Sequence, residues 1–250
     1  MPNAAIVSAP FSPAQTESLP VIQALRATPL LRDLSPEVLE RLAGISEIVL
    51  IAEGIEVCRQ GELANELFVV LEGQLVSSAT AANGASAVVE VIHAGGIIAL
   101  AAVLARLPRL LNIRTINPSR LLSIESRGLL ELVEREPPLM TALLRAEAQT
   151  FRALVRQVCD LKLRTTAQRL GCYLLSLTTE KGTNATAMRL PFDKRLLAAR
   201  LGCRQENLSR AFAALRAFGV ETHGARVILH DIAMLRDYAL PDEPFDDVLA

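Results

Sequence analysis

The alternation of apolar and polar positions divides the chain into segments of different character. Between residues 46 and 126, short apolar runs alternate with regularly spaced glycines, which is typical of a small antiparallel barrel or jelly roll. Ala-Asn-Gly-Ala at 82–85 predicts a hairpin turn. Residues 21–45 have a helical pattern, in which Ser35 is the expected N-cap and Pro36 the first helical position. The start of the chain is rich in Ala, Ser and Pro, and we assign residues 1–22 to a flexible tail.

A long helix is predicted to begin at Pro137 and Pro138. Its apolar positions recur at alternating spacings of three and four, the pattern of a coiled-coil seam over about three heptads. We expect a second copy of the chain on this seam; the alternative is a single amphipathic helix that lies on its own domain. The seam positions are Thr141, Leu144, Ala148, Phe151, Val155, Val158 and Lys162.

After the long helix, the pattern predicts one further helix and a loop. Thr165, Thr166, Ala167 and Gln168 have the form of a capping box, which begins a helix. The stretch 179–187 is polar and is expected to be a flexible loop.

The segment 193–229 predicts two short helices and a hairpin. Asp193 is expected to cap the first helix, Gly202 to form a tight turn, and the second helix to begin near Arg204. A small hairpin is expected to turn at His223 and Gly224. This is the layout of a winged helix-turn-helix, a unit that inserts its second helix into the major groove of DNA.

Composition limits the classes to which the chain can belong. Its 250 residues, 51% of them apolar, suffice for one large or two modest domains. The longest apolar run, at 97–105, is too short to span a membrane, and the N-terminus lacks the basic region of a secretory signal. The four cysteines are scattered, so neither a zinc site nor a disulfide framework is predicted. We therefore expect a cytoplasmic protein.

The net charge of −1 conceals a basic block. Residues 161–226 hold twelve lysines and arginines against four acids, whereas residues 227–250 hold one arginine and six acids. A local basic block favours contact with phosphates, whatever the average over the chain. The end of the chain, 241–250, is assigned to an acidic tail.

Three features together resemble the CRP/FNR superfamily of bacterial transcription regulators. The segment VCRQGELANELFVVLEGQL at 57–75 is similar to the β-roll signature of that family, and GCRQENLSR at 202–210 is similar to its recognition segment. The order of the parts is the third feature. The resemblance covers about residues 23–238 and implies an α+β fold. Its expected parts are an antiparallel β-roll at 23–135, a dimerisation helix at 136–163 and a winged helix-turn-helix at 164–240.

The resemblance also implies how such a protein works. Two chains pair through the long helix, and each presents one recognition helix to half of a palindromic site on double-stranded DNA. An effector in the β-roll changes the helix pair and so the spacing of the two recognition helices. RNA polymerase is a further expected partner.

The second helix of the motif carries the predicted base-reading face. Gln205, Glu206, Ser209 and Arg210 share one face, because they lie one, three and four residues apart. Arginine bonds guanine bidentately and glutamate accepts from cytosine or adenine amino groups; the alternative is a merely solvated face. The pattern Glu-x-x-Ser-Arg resembles the FNR and denitrification-regulator branches and implies a TTGAT half-site, whereas the cyclic-AMP receptor branch has Gly where Ser209 stands.

Contacts to the DNA backbone are expected from basic groups on the same unit. For each of them, the alternative is an ordinary exposed charge. The candidates are Lys194, Arg195, Arg204, His223 and Arg226.

The cyclic-nucleotide site of the family does not carry over to this chain. The resemblance places Ala99 where the family has a ribose-binding Glu, and Arg109 and Leu110 where it has an Arg-Ser pair for the phosphate. A phosphate buried against Ile97 and Leu100 with a single charge partner would be unfavourable. We therefore expect no tight binding of cyclic AMP and interpret Arg109 as an exposed residue; a weak apolar effector pocket is left at these five positions.

Redox and haem sensing are weaker alternatives. Residues 1–57 contain no cysteine, so the iron–sulfur cluster of the oxygen-sensing branch is not expected. Haem could be bound by His93 or the nitrogen of Pro2; however, Leu100 stands at the ligand position of the carbon-monoxide sensor branch, and His93 could be a surface turn residue. The three cysteines that could act in redox sensing, namely Cys58, Cys159 and Cys203, are more often small buried hydrophobes.

The sequence therefore favours a homodimeric DNA-binding regulator. The alternative is a small-ligand or haem sensor module in which DNA binding is secondary. An enzyme is not predicted, because no nucleophile-base-acid set, metal-ligand spacing or phosphate loop with its lysine is found.

Overall fold

The computed structural model describes residues 18–178, 185–190 and 194–241. The chain forms two compact units. Among the described residues, the first unit contains 18–75 together with 92–147, and the second contains 76–91 together with those from 148 to 241. The predicted acidic tail, except for Pro241, lies outside the described residues.

Two helices precede the sheets of the first unit. The first, α1 (Ser18–Ala27), includes residues 18–22, so the prediction of a flexible tail is wrong there: Val21 is buried in the core. The second, α2 (Pro36–Ala43), begins as predicted, because the Ser35 hydroxyl accepts a hydrogen bond from the backbone N–H of Val38 at 3.4 Å. Residues 1–17 of the predicted tail are outside the described part of the chain.

Eight antiparallel strands form two four-stranded sheets, which confirms the predicted β-roll. One sheet has the order β1-β8-β3-β6 and the other β2-β7-β4-β5. The predicted hairpin turn at 82–85 joins β4 to β5, and Gly84 has a positive φ there. The strands are β1 (Ser46–Ile51), β2 (Glu56–Cys58), β3 (Glu66–Glu72), β4 (Leu75–Thr80), β5 (Ser86–Ile92), β6 (Ile97–Ile98), β7 (Asn112–Thr115) and β8 (Ser119–Glu125).

The central strand β3 is buried on both faces, which explains its unbroken apolar run. Successive side chains of a strand point to opposite faces. Leu67 and Val69 pack in the cluster shared with α1 and α2, whereas Phe68 and Val70 pack in a second cluster with residues of the other sheet. Burial of apolar surface on each face, at about 25 cal/mol per Å², therefore holds the two layers together.

Three helices accompany or follow the roll. The sequence pattern did not predict the short helix α3 (Leu100–Ala105), which lies within an apolar run. It also did not predict α4 (Ser126–Arg135). The carboxylate of Glu125 caps α4 by accepting from two backbone N–H groups. The predicted long helix is α5 (Pro137–Leu163); it begins at the first of the two prolines, and its first turns pack in the core of the first unit.

The second unit contains the predicted helix-turn-helix and wing. Its elements are α6 (Thr166–Ser176), β9 (Thr186–Arg189), α7 (Lys194–Arg200), α8 (Gln205–Leu215), a 3-10 turn (Arg216–Phe218), β10 (Val220–His223), β11 (Arg226–Leu229) and α9 (Ile232–Ala239). The capping box at the start of α6 is confirmed by reciprocal hydrogen bonds between Thr165 and Gln168. The expected cap Asp193 is outside the described ranges.

Two details of the wing differ from the prediction. Residues 186 and 187 were expected in a flexible loop, but they belong to β9, which pairs with β11 and completes a three-stranded sheet. The hairpin turns one position later than predicted, because His223 pairs with Arg226 and leaves Gly224 and Ala225 as the two-residue loop. Gly224 supplies the positive φ that such a tight turn requires.

The arginine Arg169 joins three parts of the second unit. It lies on α6, and its guanidinium donates to the backbone carbonyl of Arg164 at the end of α5 at 2.8 Å and to that of Leu201 after α7 at 3.0 Å. Arg164 in turn pairs with Asp160 and donates to the carbonyl of Leu240 after α9 at 2.8 Å. The end of the long helix is thus bonded to the helices that surround α8.

Two glycines with similar backbone geometry provide a test of packing in the roll. Gly73 (φ +94) leaves no room for a Cβ, which would lie 2.3 Å from the Ser119 hydroxyl oxygen, whereas a Cβ at Gly84 (φ +82) would meet nothing within 4 Å. We expect Gly84→Ala to lower the free energy of unfolding by about 1–2 kcal/mol through backbone strain alone. Gly73→Ala should cost about 1–3 kcal/mol more, because the methyl group overpacks the strand. Urea unfolding of both variants measures this; equal losses would contradict it.

Candidate nucleic-acid interface

The turn between α7 and α8 fixes where the second helix starts. Gly202 has φ +62, and the backbone N–H of Cys203 donates to the carbonyl of Ala198 at 2.9 Å. A Cβ at Gly202 would lie 2.6 Å from a methyl carbon of Leu161 on α5, so both the conformation and the space require glycine. Arg204 then has extended backbone geometry as the N-cap of α8.

The helix α8 has one buried and one exposed face, as the sequence indicated. Leu208, Ala211, Phe212 and Leu215 are buried, and α8 contacts α6 on this side. The four predicted base-reading residues are all exposed: Gln205, Glu206, Ser209 and Arg210. Their common exposure at the start of α8 is the geometry that a recognition helix needs.

Two of these side chains have features that bear on their chemistry. The Ser209 hydroxyl donates to the backbone carbonyl of Gln205 at 3.1 Å, so its lone pairs remain to accept a hydrogen bond. Glu206 lies in the first turn of α8, where the helix dipole favours a negative charge. Arg210 is one turn further along the same face.

The predicted phosphate contacts are distributed over three elements of the unit. Lys194 and Arg195 are exposed at the start of α7, and the Lys194 ammonium lies 5.3 Å from the centre of the Phe212 ring. That contact holds the ammonium close to α8. Arg204 is exposed at the α8 N-cap, and His223 and Arg226 are exposed on the wing.

The wing brings together more charged groups than the sequence indicated. The strand register places Arg189, Arg226 and His223 in one row across β9, β11 and β10. Glu221 accepts hydrogen bonds from His223 at 2.7 Å and from His230 at 2.8 Å. Sequence reasoning missed Arg189 and His230, because β9 was not recognised and because His230 approaches Glu221 only through the hairpin. The alternation of side chains between the two faces of the paired strands could have indicated that Arg189 and His230 belong to this group.

The contacts of Arg109 correct the interpretation that this residue is exposed. Only 9% of its side chain is exposed. Its guanidinium donates to the carbonyl of Leu63 at 2.8 Å and lies 3.7 Å from a carboxylate oxygen of Glu66. The guanidinium therefore has a carbonyl and a carboxylate as partners within the protein, while its Nε is buried without a hydrogen-bond partner.

The other predicted effector residues do not line one cavity. Ile97 and Leu100 pack in the core cluster that contains α1 and α2, whereas Ala99 packs against the second cluster. Leu110 is 83% exposed. A cavity of about 450 Å³ lies instead between residues 63–65, α3 and α4, and none of the predicted effector positions lines it. The predicted effector positions stay a prediction; in the structure, the three that pack against a core are divided between the two clusters.

Only one of the two candidate haem ligands lies in the described part of the structure. His93 is exposed, and its Nδ1 lies 3.3 Å from the side-chain nitrogen of Gln74, while Pro2 is outside the described residues. Among the residues that the structure describes, no group of three or more His, Cys, Asp or Glu side chains could hold a metal ion. No helix in the described ranges is long and apolar enough to cross a membrane.

The three candidate redox cysteines differ in environment. Cys58 is 2% exposed, and burial raises the pKa of its thiol to about 11. Such a thiol is almost entirely protonated at neutral pH and is a poor nucleophile. Burial also raises the pKa of Cys203, whereas Cys159 is exposed on α5.

Comparisons with known proteins agree with this arrangement of parts. The family model of the cyclic nucleotide-binding domain matches residues 49–136, and that of the Crp-like helix-turn-helix domain matches residues 168–238. A solved protein from Ruegeria pomeroyi DSS-3, described as cyclic nucleotide binding, is 31% identical over 92% of this chain and 100% of its own, with a TM-score of 0.59. The chain belongs to the CRP/FNR family of transcription regulators.

Two further solved structures of this kind are similar. One from Silicibacter pomeroyi DSS-3, described as a cAMP-binding regulatory protein, is 30% identical over 88% of this chain and 98% of its own, with a TM-score of 0.58. A transcriptional regulator of the CRP/FNR family from Thermus thermophilus has the same fold at 19% identity, over 79% of this chain and 100% of its own, with a TM-score of 0.62. No curated protein sequence matches the chain.

Proposed function

We propose that this CRP/FNR family member is a homodimeric regulator that reads a palindromic TTGAT-like site through α8. The observation that carries the proposal is the division of α8 into a fully packed apolar face and an exposed polar tip within a winged helix-turn-helix. Two-fold symmetry of the protein would match two-fold symmetry of the site. RNA polymerase is the further partner that family membership suggests.

The chemistry of the exposed tip supports direct reading of bases. The Arg210 guanidinium can bond O6 and N7 of guanine, and the Glu206 carboxylate can accept from an amino group of cytosine or adenine. Gln205 and Ser209 complete the proposed set. Exposed basic groups on the same unit are proposed to contact phosphates. They are Lys194, Arg195, Arg204, His223 and Arg226.

The exposed seam of α5 supports pairing of two chains. Every predicted central seam position is exposed in the single chain, and Phe151 and Leu144 are 66% and 64% exposed. A row of this kind at heptad spacing is stabilised when a second helix covers it. The proposed seam is Leu144, Ala148, Phe151, Val155 and Val158.

The contacts of Arg109 support an effector other than cyclic AMP. A cyclic phosphate would have to compete with Glu66 for the guanidinium, and the side chain one residue further is the apolar Leu110. Burial of a phosphate without a free positive partner is unfavourable. The proposal is therefore that another effector, or a redox or gas signal, acts on the roll.

Substitution of Arg210 tests the reading face. We expect Arg210→Ala to reduce affinity for a TTGAT-N4-ATCAA duplex by about 1–3 kcal/mol per half-site, because a bidentate base contact is lost. Weak binding to a scrambled duplex should be largely unchanged. Arg32→Ala, which removes the same charge from an exposed site in the first unit, is the matched control. Fluorescence anisotropy with both duplexes measures the effect, and unchanged specific affinity of Arg210→Ala would reject the assignment.

Substitution of Phe151 tests the dimer seam. Phe151→Glu should raise the dimer dissociation constant at least about 100-fold, because an unpaired charge would be buried between the helices. Gln149→Glu adds the same charge to an exposed position off the seam and should leave the dimer intact. Sedimentation velocity distinguishes the two; an intact Phe151→Glu dimer would contradict the proposed seam.

Titration with cyclic AMP tests the effector proposal. Isothermal calorimetry should give no saturable binding tighter than about 1 mM, since the phosphate finds no free positive partner. Arg109→Ala should lower the thermal stability of the protein, because Glu66 and the Leu63 carbonyl lose their buried partner. Micromolar binding of cyclic AMP by the unaltered protein would refute this prediction.

A further inference from the structure

The three-stranded wing sheet has an outer face that combines arginines with titratable groups. Its inner face is formed by Val220, Val227 and Leu229, which are buried. Because side chains alternate along a strand, the opposite face carries the exposed residues Arg189, Glu221, His223 and Arg226. We call these four residues, together with His230 at the end of β11, the wing outer face.

The arginines of this face lie opposite one another. Arg226 pairs directly with Arg189 in the strand register, and both line a shallow pocket of about 310 Å³. Like charges directly opposite each other on neighbouring strands destabilise a sheet. An anion that contacts both guanidiniums would remove this repulsion, and guanidinium groups bind phosphates through paired, charge-assisted hydrogen bonds.

The two histidines of the face share one carboxylate. Each oxygen of Glu221 accepts from the Nε2 of a different imidazole, at 2.7 Å from His223 and 2.8 Å from His230. These hydrogen bonds, that from His230 first, lower the pKa of Glu221. An imidazole that donates from Nε2 takes up its second proton on Nδ1. Protonation therefore adds positive charge while the bonds to Glu221 are kept.

The charge of the wing outer face depends on these protons. With neutral imidazoles, two guanidiniums and one carboxylate give a net charge of +1, and two imidazolium groups raise it to +3. Asp231, which follows His230, accepts a bond from the backbone N–H of Met234 as the cap of α9. Arg226 is paired directly with His223 in the strand register, so a guanidinium is placed on the strand position opposite this imidazole.

We propose that the wing outer face binds the DNA phosphate backbone with uptake of protons by His223 and His230, so that affinity for DNA increases as the pH falls. Phosphates placed beside the imidazoles favour their charged form. The complex then holds more protons than the free protein, and the association constant rises as the pH falls through the range in which imidazoles titrate. The inference rests on the proposed DNA-binding function and adds Arg189 and His230 to the phosphate contacts.

Binding measured against pH tests the proton uptake. Fluorescence anisotropy with the TTGAT-N4-ATCAA duplex at constant ionic strength should show affinity about 10- to 100-fold higher near pH 6 than near pH 8, which corresponds to an average uptake of about half to one proton over this range. The double variant His223→Gln/His230→Gln should lose most of this dependence, because the amide can donate to Glu221 but does not titrate. His93→Gln alters the only other histidine and should keep the full dependence.

Substitution of the arginines tests the phosphate contact separately. Arg189→Gln and Arg226→Gln should each weaken binding at every pH and reduce the salt dependence by about one counterion per altered contact. Arg32→Gln, which removes a charge in the first unit, should change neither quantity. Unfolding curves identify any variant that is not folded, and the folded single variants His223→Gln and His230→Gln then carry the test.

The outcomes distinguish this inference from the proposed function. Failure of the unaltered protein to prefer the palindromic duplex at any pH would reject the proposed function itself. Specific binding that is independent of pH, or an unchanged pH dependence in the histidine double variant, would overturn only the proton-linked contact. Unchanged affinity and salt dependence in Arg189→Gln would remove β9 from the interface.

Discussion

Burial of the apolar face of α8 is the constraint on which the proposed DNA interface depends. Leu208 and Leu215 are almost completely buried, so the helix cannot rotate about its axis without exposing them or burying Arg210. The turn at Gly202 sets where the helix begins, and the packed face sets its rotation. Together they determine which side chains reach solvent, and the Lys194 ammonium of α7 lies 5.3 Å from the centre of the Phe212 ring on the same helix, α8.

Burial also accounts for the contacts that Arg109 makes in the β-roll. Strand β3 is packed on both faces, and a charged side chain beside it is stable only when it is paired. Arg109 meets this requirement through Glu66 and the Leu63 carbonyl. The fold of the family is thus retained, and Arg109 holds the loop before β3 through these contacts.

Sequence patterns predicted the features that depend on neighbouring residues. The Ser35 cap, the capping box at Thr165, the long helix and the two faces of α8 all follow from local spacing. What the patterns missed depends on residues distant in the chain. Strand β9 is polar and short, and it exists through its pairing with β11; Arg109 is buried because the fold brings Glu66 to it. The position of the wing turn required the strand register, which local composition does not specify.

Arg169 connects the end of the long helix to the helix-turn-helix in the second unit. Its guanidinium holds the carbonyl at the end of α5 and the carbonyl that precedes the Gly202 turn, and Leu161 of α5 leaves no space at that glycine. The last turns of the long helix are therefore joined to the helix-turn-helix both by hydrogen bonds and by close packing. A rotation of α5 at this end would break these contacts unless α8 moved with it, so under the proposed function a substitution far from the DNA would change the orientation of the recognition helix.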